Sequence, residues 1–358
     1  MSYRFYFTPH IVKYLQNIER IKETIHLTVL PPLVAEQLRY KAHIRSAHFS
    51  TRIEGNRLTL NETEEVIQQG RLFPDRERDV KEVERYYQAL QQVEKWVEGR
   101  QAITESRIQK THALLLSGRR AKPTPYRDGQ NVIRDSAGQI VYLPPEAQDV
   151  PVLMGELVGW IHEAQEDYAA PVIAGIAHYQ FVTIHPFFDG NGRSARLMAT
   201  WILYQGRYDL GRFSALEEFY ADDLESYYNA LITHPHHNYY FGRHEADITP
   251  WLEYFLRGMA VVFERVADEV TLKAGRIEKD DDEQALLRPL DHRARRVLGL
   301  FAHQTSIQSK DVANLLGIST RQARDLLNAW VEQGWLTVLD PSRRGRKYSL
   351  ADNYQKLL

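Results

Sequence analysis

Apolar residues recur at three- and four-residue intervals through most of this chain, the spacing that gathers them on one face of an α-helix. Ile11, Leu15, Ile18, Ile21 and Ile25 do so first, predicting a helix over residues 11–27. Pro31 and Pro32 stop it, and a second helix is expected from about Leu33 into the fifties, closing near Gly55 as its C′ residue. Thr59 followed by Glu62 has the spacing of a capping box and opens a third. Residues 79–117 read as further helices with short breaks. The same rhythm returns at 150–166, 171–184, 194–204, 221–232 and 250–270. Only residues 123–145 depart from it: two short β-branched runs flank Asp135-Ser136-Ala137-Gly138, which predicts a small β-hairpin.

The pattern changes again after RIEKDDDEQ, residues 276–284, a charged run without apolar anchors. Beyond it come a helix at 291–302, a second helix, a turn at Gly317, a third helix, and two strands around Pro341 to Gly345. That order predicts a winged helix-turn-helix. The expected organisation is a helical region at 1–110, a helical core at 111–275, a charged linker at 276–290 and a winged-helix domain at 291–358. The fold class is mainly α.

Composition narrows the chemistry. The 358 residues hold 45 Lys plus Arg against 47 Asp plus Glu, so the chain as a whole is neither polycation nor acidic tail. Without cysteine, disulfides, thiol nucleophiles and thiolate zinc sites are excluded. No apolar run spans a bilayer and the start lacks a signal-peptide core, so a soluble, cytoplasmic protein without membrane partners is the expectation. His234, His236, His237 and His244 invite a metal reading, but their spacing fits no standard zinc pattern, and a polar loop is expected there.

The densest chemistry lies in HPFFDGNGRSAR, residues 185–196, between two apolar helical stretches. Pro186 forces the chain out of the first helix. Gly190, Asn191 and Gly192 form a loop leading into the next helix, whose unpaired N–H groups and positive dipole end suit a phosphate. Arg193 and Arg196 stand three apart and can clamp further phosphates. Asp189 offers a hard oxygen ligand, which beside phosphates suggests Mg²⁺. His185 is the group nearby able to take a proton near neutral pH. Each part alone has a plainer explanation as cap, surface charge or turn. Together they specify a triphosphate site with a general base, and no Walker A loop is present.

The stretch resembles the HPFx[D/E]GNGRxxR signature of Fic-domain proteins at every specified position, and the resemblance covers about residues 30–270. It implies a Fic-type helical bundle and a protein adenylyltransferase: AMP moves from ATP to a Tyr, Thr or Ser hydroxyl of a target protein, or of the chain itself, releasing pyrophosphate. By the same resemblance His185 deprotonates the hydroxyl, and Asp189 holds Mg²⁺. Asn191 and the loop amides receive the α-phosphate, and Arg193 and Arg196 neutralise the β- and γ-phosphates. The hairpin at 131–143, including Asn131, Val132 and Ile133, is similar to the flap that aligns the target segment. Tyr227 and Tyr228 would help wall the adenine, although core packing explains them as well. Finally, STRIEGN at 50–56 matches the family's inhibitory motif, [S/T]xxxE[G/N]. Ser50 and Glu54 would share a helix face, with Glu54 pairing Arg196 where the γ-phosphate should bind.

Two other functions stand beside this one. A DNA-binding regulator could use the Fic body to sense nucleotide, or a Fic enzyme could use another nucleotide donor or remove AMP. In the C-terminal module Ser319, Thr320, Arg321 and Gln322 open the expected recognition helix, and Arg343, Arg344, Arg346 and Lys347 crowd the wing. DNA and protein contact are both open there, as is pairing with a second copy of the chain.

Overall fold

The computed structural model describes residues 3–119, 122–134, 138–277, 286, 289–302, 304–340, 342 and 345–357. The turn residues Asp135, Ser136 and Ala137, most of the charged linker, and Arg343 and Arg344 lie outside them. The chain divides into two compact units, one formed by Met1–Thr24 and Ala42–Val266, the other by Ile25–Lys41 and Ala267–Leu358.

The first unit draws on helices α1 (Pro9–Leu27), α2 (Pro32–Arg52), α3 (Leu60–Gln69), α4 (Glu77–Glu98) and α5 (Glu105–Ser117). The hairpin strands β1 (Ile133–Arg134) and β2 (Ile140–Tyr142) follow. Then come α6 (Val150–Glu163), α7 (Ala170–Ile184), α8 (Asn191–Gln205), α9 (Leu216–Asp222), α10 (Leu224–Ala230) and α11 (Thr249–Ile277). The capping box at α3 is complete: Thr59 Oγ1 accepts from the Glu62 N–H, and Glu62 returns a carboxylate oxygen to the Thr59 N–H. One expected helix, 221–232, is instead two. Asp223 leaves helical geometry and caps α10 by accepting from the Ser226 N–H at 3.0 Å, so side-chain capping outweighs helical propensity there. The helix after the central loop starts at Asn191, three residues before the expected 194–204 stretch.

Helix α7 is the axis of this unit. From Pro171 to Ile184 every residue but Val182 is buried, and its main partner is α8. Trp201 of α8 stacks on Trp96 of α4 with ring centroids 4.9 Å apart, and Trp251 of α11 donates its indole N–H to the Gly175 carbonyl at 2.7 Å. A helix buried all round cannot be told from one with a single apolar face by periodicity alone; the surrounding helices decide it.

In the C-terminal part of the second unit lie α12 (His292–Leu298), α13 (Ser309–Leu316), α14 (Thr320–Glu332) and the antiparallel pair β3 (Leu336–Asp340) and β4 (Lys347–Leu350). Gly317 turns the chain between α13 and α14 at φ 66°. Leu298, Leu327, Trp330, Trp335, Tyr348 and Leu350 are among the side chains of its own core. No helix among the described residues is long and apolar enough to cross a membrane.

Candidate active site

His185 caps the end of α7 in left-handed backbone geometry, φ 53° and ψ 59°, because the following Pro186 disfavours a further helical residue. A side chain there is strained, and main-chain bonds hold it. The His185 N–H bonds the Phe181 carbonyl at 2.9 Å. The buried guanidinium of Arg127 donates Nε to the His185 carbonyl at 2.9 Å, Nη1 to that of Gly129 at 3.0 Å and Nη2 to that of Pro145. The Arg127 N–H bonds the Pro186 carbonyl at 2.9 Å. The imidazole Nδ1 lies 3.2 Å from the Val182 carbonyl. A carbonyl only accepts, so Nδ1 carries the hydrogen and Nε2 keeps its lone pair. Burial pushes this imidazole down to about 4, against the opposing pull of the Val182 bond. At neutral pH it is therefore an uncharged base.

The loop after it is tied from inside. Asn191 is buried, its Oδ1 accepting from the Phe187 N–H at 3.0 Å and its Nδ2 donating to the Phe187 carbonyl at 2.8 Å. Its side chain therefore ties the loop from inside, a role the sequence did not announce. Asn131 of the hairpin base donates to the same carbonyl at 3.2 Å. Phe187 stacks on His112 of α5, centroids 3.7 Å apart, and His112 Nε2 donates to the Asp189 carbonyl at 2.8 Å. Gly190 is the N-cap of α8. The Asp189 side chain is 66% exposed; its Oδ1 accepts from the Gly190 N–H at 2.6 Å. Arg193 is buried, 3.4 Å from Asp189 Oδ1 and 3.9 Å from Glu82 Oε1, and its Nε has no hydrogen-bond partner. A guanidinium beside a helix N-terminus adds to the positive potential there, which favours an anion.

Arg196 is occupied. Its Nε donates to Ser50 Oγ at 2.9 Å, and its Nη2 to the Ser50 carbonyl and to Glu54 Oε1, both at 2.8 Å. Burial opposes the Arg196 charge, yet Glu54 more than restores it, so the guanidinium is held firmly protonated. Ser50 lies on α2, but Glu54 does not share that helix. It sits in the closing turn, where the Gly55 N–H bonds the Arg52 carbonyl at 2.9 Å and the Asn56 N–H that of Thr51 at 3.1 Å. That paired closure needs its C′ residue in left-handed geometry, and Gly55 has φ 90°. Gly192 completes the contact: a Cβ there would lie 2.5 Å from Glu54 Oε1, so only glycine admits the carboxylate this close.

Of the two tyrosines, Tyr227 is buried among aromatic rings and its hydroxyl lies 3.0 Å from His178 Nε2. Core packing accounts for it. Tyr228 is 49% exposed. Ile133 pairs with Tyr142 across the hairpin, and Val132 bonds the Asn131 side chain through its N–H. The histidine-rich loop runs beside this hairpin, with the Leu143 N–H bonding the His237 carbonyl at 2.9 Å and His237 Nδ1 donating to Val141. Sequence reasoning missed Arg127 and His112. Their signals were a lone arginine in the proline-rich PTPYRDG stretch and a histidine in the apolar THALLL run.

Residues 102–203 match the Fic/DOC family. Among curated proteins, the chain is 29% identical over 199 residues to "Protein adenylyltransferase Fic" of Nematostella vectensis, covering 52% of this chain and 45% of that protein. It is 28% identical over 170 residues to the protein of the same name in Drosophila mojavensis, covering 47% and 33%. The chain thus spans less than half the length of these relatives. A crystal structure of a Fic family protein from Desulfovibrio desulfuricans is similar with a TM-score of 0.61 and 25% identity, covering 98% of this chain and 99% of that one. A Fic domain containing signaling protein from Bacteroides thetaiotaomicron shares the fold, with a TM-score of 0.60 and 20% identity over 73% of this chain and 97% of that one. Ser50, Glu54 and Tyr227 lie outside the family match, whereas His112, Arg127, the hairpin and the whole 185–196 loop lie within the residues that match the Fic/DOC family.

Proposed function

We propose that this protein is an adenylyltransferase that moves AMP from ATP to a hydroxyl side chain of a target protein or of itself, and that Glu54 restrains it. His185 Nε2 takes the hydroxyl proton, the oxygen attacks the α-phosphorus, and the bond to pyrophosphate breaks. The first-turn N–H groups of α8, which have no intrahelical acceptor, face the phosphates. Arg193 and Arg196 neutralise the rest of the chain of phosphates once Arg196 is released from Glu54. The edge of the β1–β2 hairpin aligns the incoming segment by strand-like pairing.

Asp189 suits a divalent cation held jointly with nucleotide: its carboxylate is largely exposed, and its Oδ2 makes no described hydrogen bond. No cluster of three metal-ligating side chains occurs among the described residues, so phosphate oxygens would have to complete the shell. A bound Mg²⁺ supplies charge neutralisation on the phosphates.

The observation that carries this reading is the pairing of an uncharged His185, its Nε2 free, with an Arg196 whose anion site is filled by a side chain of the same protein. Purified Glu54→Gly protein incubated with ATP and Mg²⁺ tests it by mass spectrometry. The expected product carries the mass increment of one AMP on a Tyr, Thr or Ser. A different nucleotide increment, or none on any substrate offered, overturns it.

A further inference from the structure

Charge is spread unevenly along this chain. Residues 291–358 carry eleven Lys plus Arg and six Asp plus Glu, a net +5 in a chain whose total is −2. Four of those six acids are engaged by hydrogen-bond donors within the same stretch. Asp291 accepts from the Ala294 N–H, Asp311 from that of Gln308 and Asp340 from that of Ser342, while Asp352 accepts from the Gln355 amide. Among the described residues 289–357, no Lys or Arg stands within ion-pair distance of a carboxylate. The cations are therefore in excess, and among the described residues none is held in an ion pair.

Their placement is ordered. On α14 one stripe, Ala323, Leu327 and Trp330, is buried in the core. The opposite stripe, at the spacing of three and four that shares a helix face, is Arg321, Arg324, Asp325, Asn328 and Glu332; the two arginines lie in its first half, and they and the two acids are exposed. The Asn328 Oδ1 is met from the hairpin by Arg346 Nη1 at 3.5 Å and the Tyr348 hydroxyl at 3.4 Å. The polar stripe thus runs directly into the exposed Lys347, the first residue of β4, and Arg346 just before it. Gln322 is excluded from this face, because its Oε1 closes the capping box by accepting from the Ser319 N–H at 3.1 Å.

We infer that this face of α14 and the adjoining β3–β4 hairpin bind double-stranded DNA, with the helix in the major groove and the hairpin cations on flanking phosphates. A single helix ridge fits the major groove, about 12 Å wide, and arginines in its first half reach base edges. Cations on the neighbouring hairpin reach the backbone. Single-stranded nucleic acid fits less well: recognition of unpaired bases uses exposed rings for stacking, and among the described residues of 289–357 the exposed large apolar side chain is Leu339, not an aromatic.

The test uses the full-length chain and a fluorescein-labelled mixed-sequence duplex of two to three helical turns, read by anisotropy between about 50 and 200 mM salt. Binding should weaken linearly on a log–log plot against salt. Arg346→Ala with Lys347→Ala should weaken all duplexes alike and lower the slope by about two. Arg321→Ala with Arg324→Ala should instead flatten discrimination in a selection from random duplexes, by roughly tenfold or more per lost base contact. All four side chains are exposed, and an unchanged far-UV circular dichroism spectrum confirms that each variant is folded. The inference fails if no duplex binds at the low-salt end or if both double variants bind as the parent does. It also fails if a single strand or an acidic protein competes better than duplex. None of these outcomes depends on AMP transfer, which is read separately.

Discussion

The two ends of the 185–196 loop are held by different kinds of bond. His185 is fixed by main chain: the carbonyls of Val182 and Phe181 on its own helix, and the Arg127 guanidinium on its own carbonyl. Arg196 is fixed chiefly by side chains and a turn 142 to 146 residues away in sequence, Glu54 and Ser50. The first set cannot be released without unravelling the end of α7. The second can, because the Glu54 side chain is 30% exposed and its carboxylate is one anion that another can replace. A buried guanidinium stripped of its counter-charge is costly, but a phosphate in the same place would satisfy it equally. The base is permanently prepared, and on the proposed reading the anion site is the part that is switched.

The largest effect should come from breaking the prepared end. In a Glu54→Gly background, His185→Ala should lower AMP incorporation by about 10²–10⁴-fold while leaving binding of a fluorescent ATP analogue intact. Persisting incorporation would mean that another group takes the proton. Next is the switched end by itself. A hydrogen bond to a charged group contributes about 1.5–3 kcal/mol, so Glu54→Gly should raise incorporation by roughly ten- to hundredfold over the parent. Equal labelling of the two by α-labelled ATP would remove the switch. Ser50→Ala sharpens the comparison further, since it deletes one neutral acceptor while Glu54 and the Ser50 carbonyl remain. A rise of only about two- to tenfold is expected, and a gain as large as that of Glu54→Gly would shift the restraint from the carboxylate to the helix.

The smallest effect is in pH. With His185 titrating near 4, the rate should be flat between pH 6 and 8 and bend only toward pH 4; an acid limb near 6.5 would contradict its burial. His48, by burial and the nearby Arg52, is pushed to about 4, and His178, by burial and Arg196, to about 3. Each binds its proton more readily in the unfolded chain. The stability they contribute is thus complete above about pH 6.5 and is lost as pH falls toward 4, which thermal melts across that range will register.

Local signals carried much of this molecule. The capping box at Thr59, the closing glycine at Gly55 and the two-strand hairpin are each specified by a few adjacent residues, and the structure has them where the spacing puts them. The split at Asp223 was hidden because one capping side chain overrode an otherwise continuous helical rhythm. The inward hydrogen bonds of Asn191 were not legible for a related reason. An amide in a loop can turn outward to a ligand or inward to the backbone, and only the position of Phe187 determines which.

By itself, then, the sequence determined the helical character and the chemistry packed into residues 185–196, since these follow from residue type and short spacing; the candidate partnership of Glu54 with Arg196 came from the resemblance of STRIEGN to the family's inhibitory motif. The tertiary structure alone decided that Arg127 clips the backbone around His185, that His112 braces Phe187 and Asp189, and that Gly192 leaves room for the Glu54 carboxylate. These contacts join residues 58, 75 to 77 and 138 positions apart, and no periodicity reaches across such distances; packing of whole helices does.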